Sequence, residues 1–331
     1  MNNDNEKSDW MKMNPQTITR IDHNDPRSKA ALEAEQHLFA QYGLDCRVHF
    51  VEMKVPNLRV RVLEIGEGQP LLMIPGGTGE ACFFAGLMAE LKGYRILAVN
   101  RPGGGLSDGI DPRQVDLRQL AVKTIQSVMD AFGLDRVSMV CNSIGGLWGF
   151  WFALDYPERV SRLVQLGCPA LTLTASLPFF VRLLGVPGLN RVIAPKLQPK
   201  NSGEALKGLR HQGSSQEDID RMPRAMGEAA YYFAHLPNYL DNLIKLISTL
   251  TMVTSANPKY QFRADKLERI QQPVLLVWGD KDVLGNLNVA RQAACLIPNA
   301  KLHEMHTGHL CHVDKPEECG RVVREFLSEE I

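Results

Sequence analysis

Apolar residues along this chain follow two alternating rhythms. Short, mainly apolar runs at 71–74, 95–99, 137–141, 160–166 and 274–278 read as strands buried on both faces, and 46–53 and 58–64 also have strand character. Between them lie helical patterns at 81–91, 117–132 and 147–154, preceded by a helix that Asp25-Pro26 opens and that stops near Gly43. Strand and helix in alternation predict a mainly parallel central sheet with helices on both faces. The alternation lapses between Pro169 and about Gln272. Phe179-Phe180, Leu183-Leu184, Tyr231-Tyr232-Phe233, Tyr239 and 243–250 stand there at helix-like spacing, with few convincing strands. The pattern predicts a disordered tail at 1–25, a core at 26–170, a helical insertion at 171–270 after the sixth core strand, and the rest of the core at 271–331.

Composition narrows the classes of partner. With 37 basic and 37 acidic residues among 331, the net charge is zero and no basic stripe suggests nucleic acid or an anionic membrane surface. No run is long and apolar enough to span a bilayer, and 1–25 has no apolar secretory core. The seven cysteines are odd in number, scattered and mostly in apolar segments, which fits reduced thiols. The expectation is a cytoplasmic protein acting on a small molecule, without cofactor or metal.

Candidate chemistry begins where the run 137–141 breaks at Asn142-Ser143-Ile144-Gly145-Gly146 and resumes as helix. A strand entering a tight turn at a serine, with small residues around it, reads as a nucleophile elbow. The position two before the serine, usually Gly in G-x-S-x-G, is Cys141. A serine hydroxyl is a weak nucleophile and needs a base, a group to orient that base, and donors for the developing oxyanion. Asp280 and Asp282 follow the run 274–278, His309 follows Gly308 after another strand, and Pro75-Gly76-Gly77-Thr78-Gly79 is a loop whose backbone N–H groups can approach a substrate oxygen closely.

These motifs, with Asn100-Arg101-Pro102-Gly103-Gly104-Gly105-Leu106-Ser107-Asp108 after the fourth strand and Gly308-His309 ahead of Asp314-Lys315-Pro316-Glu317, resemble the α/β-hydrolase fold superfamily from about Val48 to the C-terminus. The resemblance implies a helical cap for the insertion, Ser143 as nucleophile, His309 as base and Asp282, rather than Asp280, as the orienting acid. It further implies the backbone N–H groups of Gly77 and Ile144 as the oxyanion hole. Three positions depart from the family pattern: Cys141 for the first elbow glycine, Pro75 where many members have His, and Asn100 for the usual Asp. Four histidines at 303, 306, 309 and 312 are spaced three apart, which on a strand and a glycine turn puts them on different faces and argues against a metal cluster. Arg101 reads as a solvated loop residue, and Trp148, Phe150, Trp151 and Phe152 as core.

The leading expectation is a serine hydrolase cleaving a carboxylic ester through an acyl-enzyme, on a partly apolar substrate because the cap is rich in Leu, Phe and Tyr. A second reading is a carbon–carbon bond hydrolase of the meta-cleavage type, which the Asn142-Ser143 pair resembles, although Leu310 stands where that group commonly has Trp. A third is a ligand-binding or sensory protein that keeps the fold with little turnover. Ser143 argues against the Asp-nucleophile epoxide hydrolases and haloalkane dehalogenases, and Ile144 departs from the Trp of proline iminopeptidases.

Overall fold

Ten short strands set the frame: β1 (Ile18–Thr19), β2 (Cys46–Met53), β3 (Leu58–Ile65), β4 (Gln69–Ile74), β5 (Tyr94–Val99), β6 (Gly109–Ile110), β7 (Val137–Asn142), β8 (Val160–Leu166), β9 (Val274–Gly279) and β10 (Ala300–Met305). They are those of a computed structural model, which describes residues 18–77, 79–252 and 255–329. Eight strands form one sheet in the order β10-β9-β8-β7-β4-β5-β3-β2. All neighbours are parallel except β2 with β3 and β3 with β5.

The mainly apolar runs have the cause expected of them, burial on two sides. Every residue of β7 and β9 is buried. Alternate residues serve opposite layers, because successive side chains on a strand point to opposite faces. Leu72, Ile74, Met139, Cys141, Leu276 and Trp278 pack with the helices Leu117–Ala131, Ile144–Asp155 and Leu287–Leu296. Leu71, Met73, Val140 and Val277 pack with Pro26–Gln41, Ala85–Glu90 and Pro316–Leu327 on the other side. The fold is thus an α/β sandwich with a mainly parallel sheet.

Between β8 and β9 the chain runs through the helices Phe179–Arg182, Leu189–Leu197, Ser202–Lys207, Gln216–Arg221, Arg224–Ala234 and Tyr239–Leu250. This excursion closes on itself at its base. Leu173 N–H donates to the Phe262 carbonyl at 2.8 Å and Phe262 N–H to the Leu171 carbonyl at 2.9 Å, so entering and leaving segments are bonded side by side. Met226, Ala229 and Phe233 join the core on the side of the first helix.

Residues 1–17 of the expected tail lie outside the described residues. Its last residues are held by the core: β1 pairs antiparallel with β6, and the Asp108 carboxylate accepts from the Ile21 N–H at 3.1 Å, the Arg59 N–H at 2.9 Å and the Arg20 guanidinium. Among the described residues no helix is long and apolar enough to cross a membrane.

Candidate active site

Ser143 sits between the last residue of β7 and the first of the helix Ile144–Asp155, with φ 53° and ψ −123°. A positive φ is unfavourable for a residue with a side chain, so the surroundings must impose it. They do so by crowding. A Cβ on Gly145 would stand 2.3 Å from the Ile74 carbonyl oxygen, and one on Gly146 1.8 Å from the Gln165 side-chain oxygen. The Ser143 N–H donates to the Leu166 carbonyl at 3.2 Å and the Gly146 N–H to the Ser143 carbonyl at 2.8 Å, which fixes the turn at both ends.

Cys141 fits this turn because its space comes from the following helix. A Cβ on Gly149 would lie 2.8 Å from the Cys141 sulfur. Burial pushes the Cys141 thiol well above its ordinary range, so it acts as a small apolar filler. Gly149→Ala is therefore expected to destabilise by about 1–3 kcal/mol through overpacking, and to cost less than half as much in a Cys141→Ala background. Urea unfolding of the four proteins measures both; equal cost in the two backgrounds would refute the contact.

Asp282 and His309 meet at the carboxyl edge of the sheet. The His309 Nδ1–H donates to Asp282 Oδ2 at 2.8 Å, and both side chains are buried. Asp282 is held by two further donors, the Cys168 N–H on Oδ2 at 2.7 Å and the Leu284 N–H on Oδ1 at 2.9 Å. Asp280 instead pairs with the exposed His306, at 2.7 Å. With Nδ1 donating, Nε2 of His309 is the basic nitrogen. It is buried and has no hydrogen-bond partner, so Ser143 and His309 are not directly bonded in this structure. They belong to one cluster of strand ends: Asn142 is in register with Leu166, and a Cβ on the next residue, Gly167, would lie 3.0 Å from His309 Nδ1 and 3.3 Å from Asp282 Oδ2.

The glycine loop after β4 lies against the elbow. A Cβ on Gly76 would stand 2.5 Å from Asn142 Oδ1 and 3.1 Å from Ser143 Cβ. Ile144 opens its helix, and the first N–H groups of a helix have no intrahelical acceptor. Thr78 lies outside the described residues. Asn100 takes over local bonding, its Oδ1 accepting from the Ala81 N–H at 2.7 Å.

Arg101 corrects the sequence reading. It is not solvated but 3% exposed, with Nε donating to the Pro75 carbonyl at 3.0 Å and Nη2 to the carbonyls of Gly76 and Gly77, the latter at 2.9 Å. Its guanidinium lies 5.1 Å from the Trp148 ring. A flanking cleft is lined by Gly77, Arg101, Trp148, Tyr239, Asn242 and Leu246, joining this loop to the helix Tyr239–Leu250.

Other groups near the histidine were not visible as partners in the sequence. The Gln212 carbonyl accepts the His309 N–H at 2.7 Å, and Asp314 accepts from the Gly308 N–H at 2.8 Å and the Ser214 hydroxyl at 2.6 Å. The segment before Gln216–Arg221 thus grips the histidine loop. His312 is buried, 4.8 Å from the Phe84 ring, and desolvation, with His309 adding to it, pushes its pKa down to about 3. Among the described residues no group of three or more His, Cys, Asp and Glu could hold a metal ion.

Known proteins resemble this chain in sequence and in fold. Residues 69–204 match the family described as alpha/beta hydrolase fold. A 2-hydroxy-6-oxononadienedioate/2-hydroxy-6-oxononatrienedioate hydrolase of Paraburkholderia phymatum is 29% identical over 82% of this chain and 92% of its own length. Among solved structures, a naproxen esterase from Bacillus subtilis superposes with a TM-score of 0.72 at 17% identity, over 92% of this chain and 99% of that one. A meta-cleavage product hydrolase from Pseudomonas fluorescens IP01 superposes with a TM-score of 0.66 at 20% identity, over 84% and 97%. At such identities the two structures show the fold alone. The expectation of a carboxylic ester as substrate is overturned by the sequence relatives, which are named for hydrolysing 2-hydroxy-6-oxo-dienoic acids. The ester reading had rested on the serine, histidine and acid motifs, and a serine nucleophile can attack the carbonyl of a ketone as well as that of an ester.

Proposed function

Because this chain is a member of the α/β-hydrolase fold superfamily, we propose that it is a hydrolase of the carbon–carbon bond next to the ketone in a 2-hydroxy-6-oxo-dienoic acid. The observation that carries the proposal is that relatives spanning 82–86% of the chain bear that class of name. The Asn142-Ser143 pair, read from the sequence as resembling that group, agrees with it.

The reaction asks for something an ester does not. Carbon leaves as a carbanion, so the electron pair of the broken bond needs a sink. Moving a proton from the 2-hydroxyl to C5 turns the dienol into a 2,6-diketone with one remaining double bond. An oxygen nucleophile then adds to C6, and when the C5–C6 bond breaks its electrons delocalise into the C2 carbonyl. One water is consumed, giving a carboxylic acid and a shorter dienol acid.

Ser143 is assigned as the nucleophile at C6. His309, with Nε2 free and Nδ1–H held by Asp282, takes the serine proton and returns it. The N–H groups of Gly77 and Ile144 are assigned to the oxygen of C6, which becomes negative on attack. Asp282 orients the imidazole and stabilises its protonated form.

The test is loss of the dienol absorbance when purified protein meets a 2-hydroxy-6-oxo-dienoic acid with a carboxylate tail, with acid release measured in parallel. The expected result is turnover that exceeds by at least tenfold, in kcat/KM, that of p-nitrophenyl esters of comparable length. Ester turnover without any dienoic acid cleavage would sink the proposal.

A further inference from the structure

We propose that Arg101 is the positioning residue of the oxyanion hole, holding the Gly76-Gly77 loop so that its N–H groups face Ser143. The inference rests on the assignments of Ser143 and Gly77 made above. In a trans peptide the carbonyl and the following N–H point in opposite directions. Arg101 holds the Gly76 carbonyl, which shares its peptide plane with the Gly77 N–H, and the Pro75 carbonyl, which shares its plane with the Gly76 N–H. Both N–H groups are therefore turned away from the guanidinium. The opposite side of this loop is the elbow, since Gly76 lies against Ser143 Cβ and Asn142.

Glycines need such a clamp because they lose the most backbone freedom on being fixed. Backbone bonds among the described residues of this stretch are two: the Gly79 N–H donates to the Gly76 carbonyl at 3.0 Å, and the Arg101 N–H to the Gly79 carbonyl at 3.2 Å. Arg101 is itself fixed, buried and set over Trp148 on the helix that Ile144 opens. One side chain thus ties together the two elements that carry the proposed donors. Three carbonyls are met by one planar fork, which a lysine ammonium cannot reproduce. Desolvation pushes the Arg101 pKa down to about 10, with Glu80 opposing, so the group stays cationic near neutrality. Its charge favours an anion forming nearby.

Arg101→Met and Arg101→Lys are compared with the wild type in the rate of phosphonylation by a fluorophosphonate, which builds charge on a phosphoryl oxygen, and in kcat and KM for the dienoic acid. Losing one oxyanion donor outright costs about 10²- to 10³-fold, so a misaimed donor in Arg101→Met is expected to slow both phosphonylation and kcat by roughly 10- to 100-fold. KM should stay within about twofold, and Arg101→Lys should fall between. Thermal melting is recorded beside each; should the Met variant not fold, Arg101→Lys decides alone. Wild-type rates of phosphonylation in a folded variant overturn the proposal. So does a raised KM with phosphonylation unchanged, which would make Arg101 a contact for a substrate anion. A wild type that is phosphonylated at Ser143 but leaves the dienoic acid intact removes the carbon–carbon reading, while the labelling rates still decide Arg101. No labelling of the wild type overturns both.

Discussion

Ser143→Ala is expected to lower kcat for the dienoic acid by about 10⁴- to 10⁶-fold, the range for removing a nucleophile whose partners act as a unit with it. The fold should not change, because the strand, turn and helix around the elbow are held by backbone bonds and by Gly145 and Gly146, none of which the hydroxyl supplies. Alanine inherits the positive φ of 53°, so stability should stay near that of the wild type. Ser143→Gly separates strain from chemistry. It should be as inactive as the alanine variant yet gain about 1 kcal/mol in urea unfolding, because glycine adopts these angles without penalty. Turnover by Ser143→Ala within tenfold of wild type would remove the nucleophile assignment.

The strands were legible because burial on both faces leaves a plain signature, a mainly apolar run bounded by polar residues or glycine. β7 and β9 show this most clearly. Edge strand β2 was weaker as a signal, since its solvent side mixes Val48 and Phe50, both 45% exposed, with polar residues. Ser143, Asp282 and His309 stood out as candidates because each follows a readable strand, Ser143 just ahead of Gly145-Gly146 and the other two after a glycine. What could not be read was anything fixed by contacts across the chain. Arg101 follows a strand and precedes Pro-Gly, a context that usually means solvent. Only the fold brings the carbonyls of 75–77 to its guanidinium. Asp314, Ser214 and Gln212 are likewise ordinary in sequence and become partners of the histidine loop only when the segment after β8 folds back over it. Cys141 looked like a defect in the elbow and is matched by Gly149, eight positions on. The ester went wrong for a different reason: the bond to be cleaved depends on what the substrate offers as a leaving group, and no side chain in the sequence records that.

Asp282→Asn is expected to cost about 10⁴-fold in kcat through the imbalance it creates at one buried carboxylate. In the wild type both oxygens accept: Oδ2 from the Cys168 N–H and His309 Nδ1–H, Oδ1 from the Leu284 N–H. An amide has a single oxygen. If that oxygen stays with Cys168 and His309, the new NH₂ faces the Leu284 N–H, donor against donor. If it turns to Leu284, the NH₂ faces the Cys168 N–H and obliges His309 to accept at Nδ1, moving its proton to Nε2 where a base is needed. The first arrangement loses stability and the second loses the reactive tautomer, and each leaves a buried donor unpaired at about 1–3 kcal/mol. The variant should therefore show both effects, a kcat loss with KM within a few-fold and a lower urea midpoint. Asp280→Asn supplies the contrast. Its partner His306 is exposed and the pair lies at the solvent edge, where an ion pair contributes about 0–1 kcal/mol, so kcat should hold within twofold. A larger kcat loss in Asp280→Asn than in Asp282→Asn would reverse the assignment of the acid.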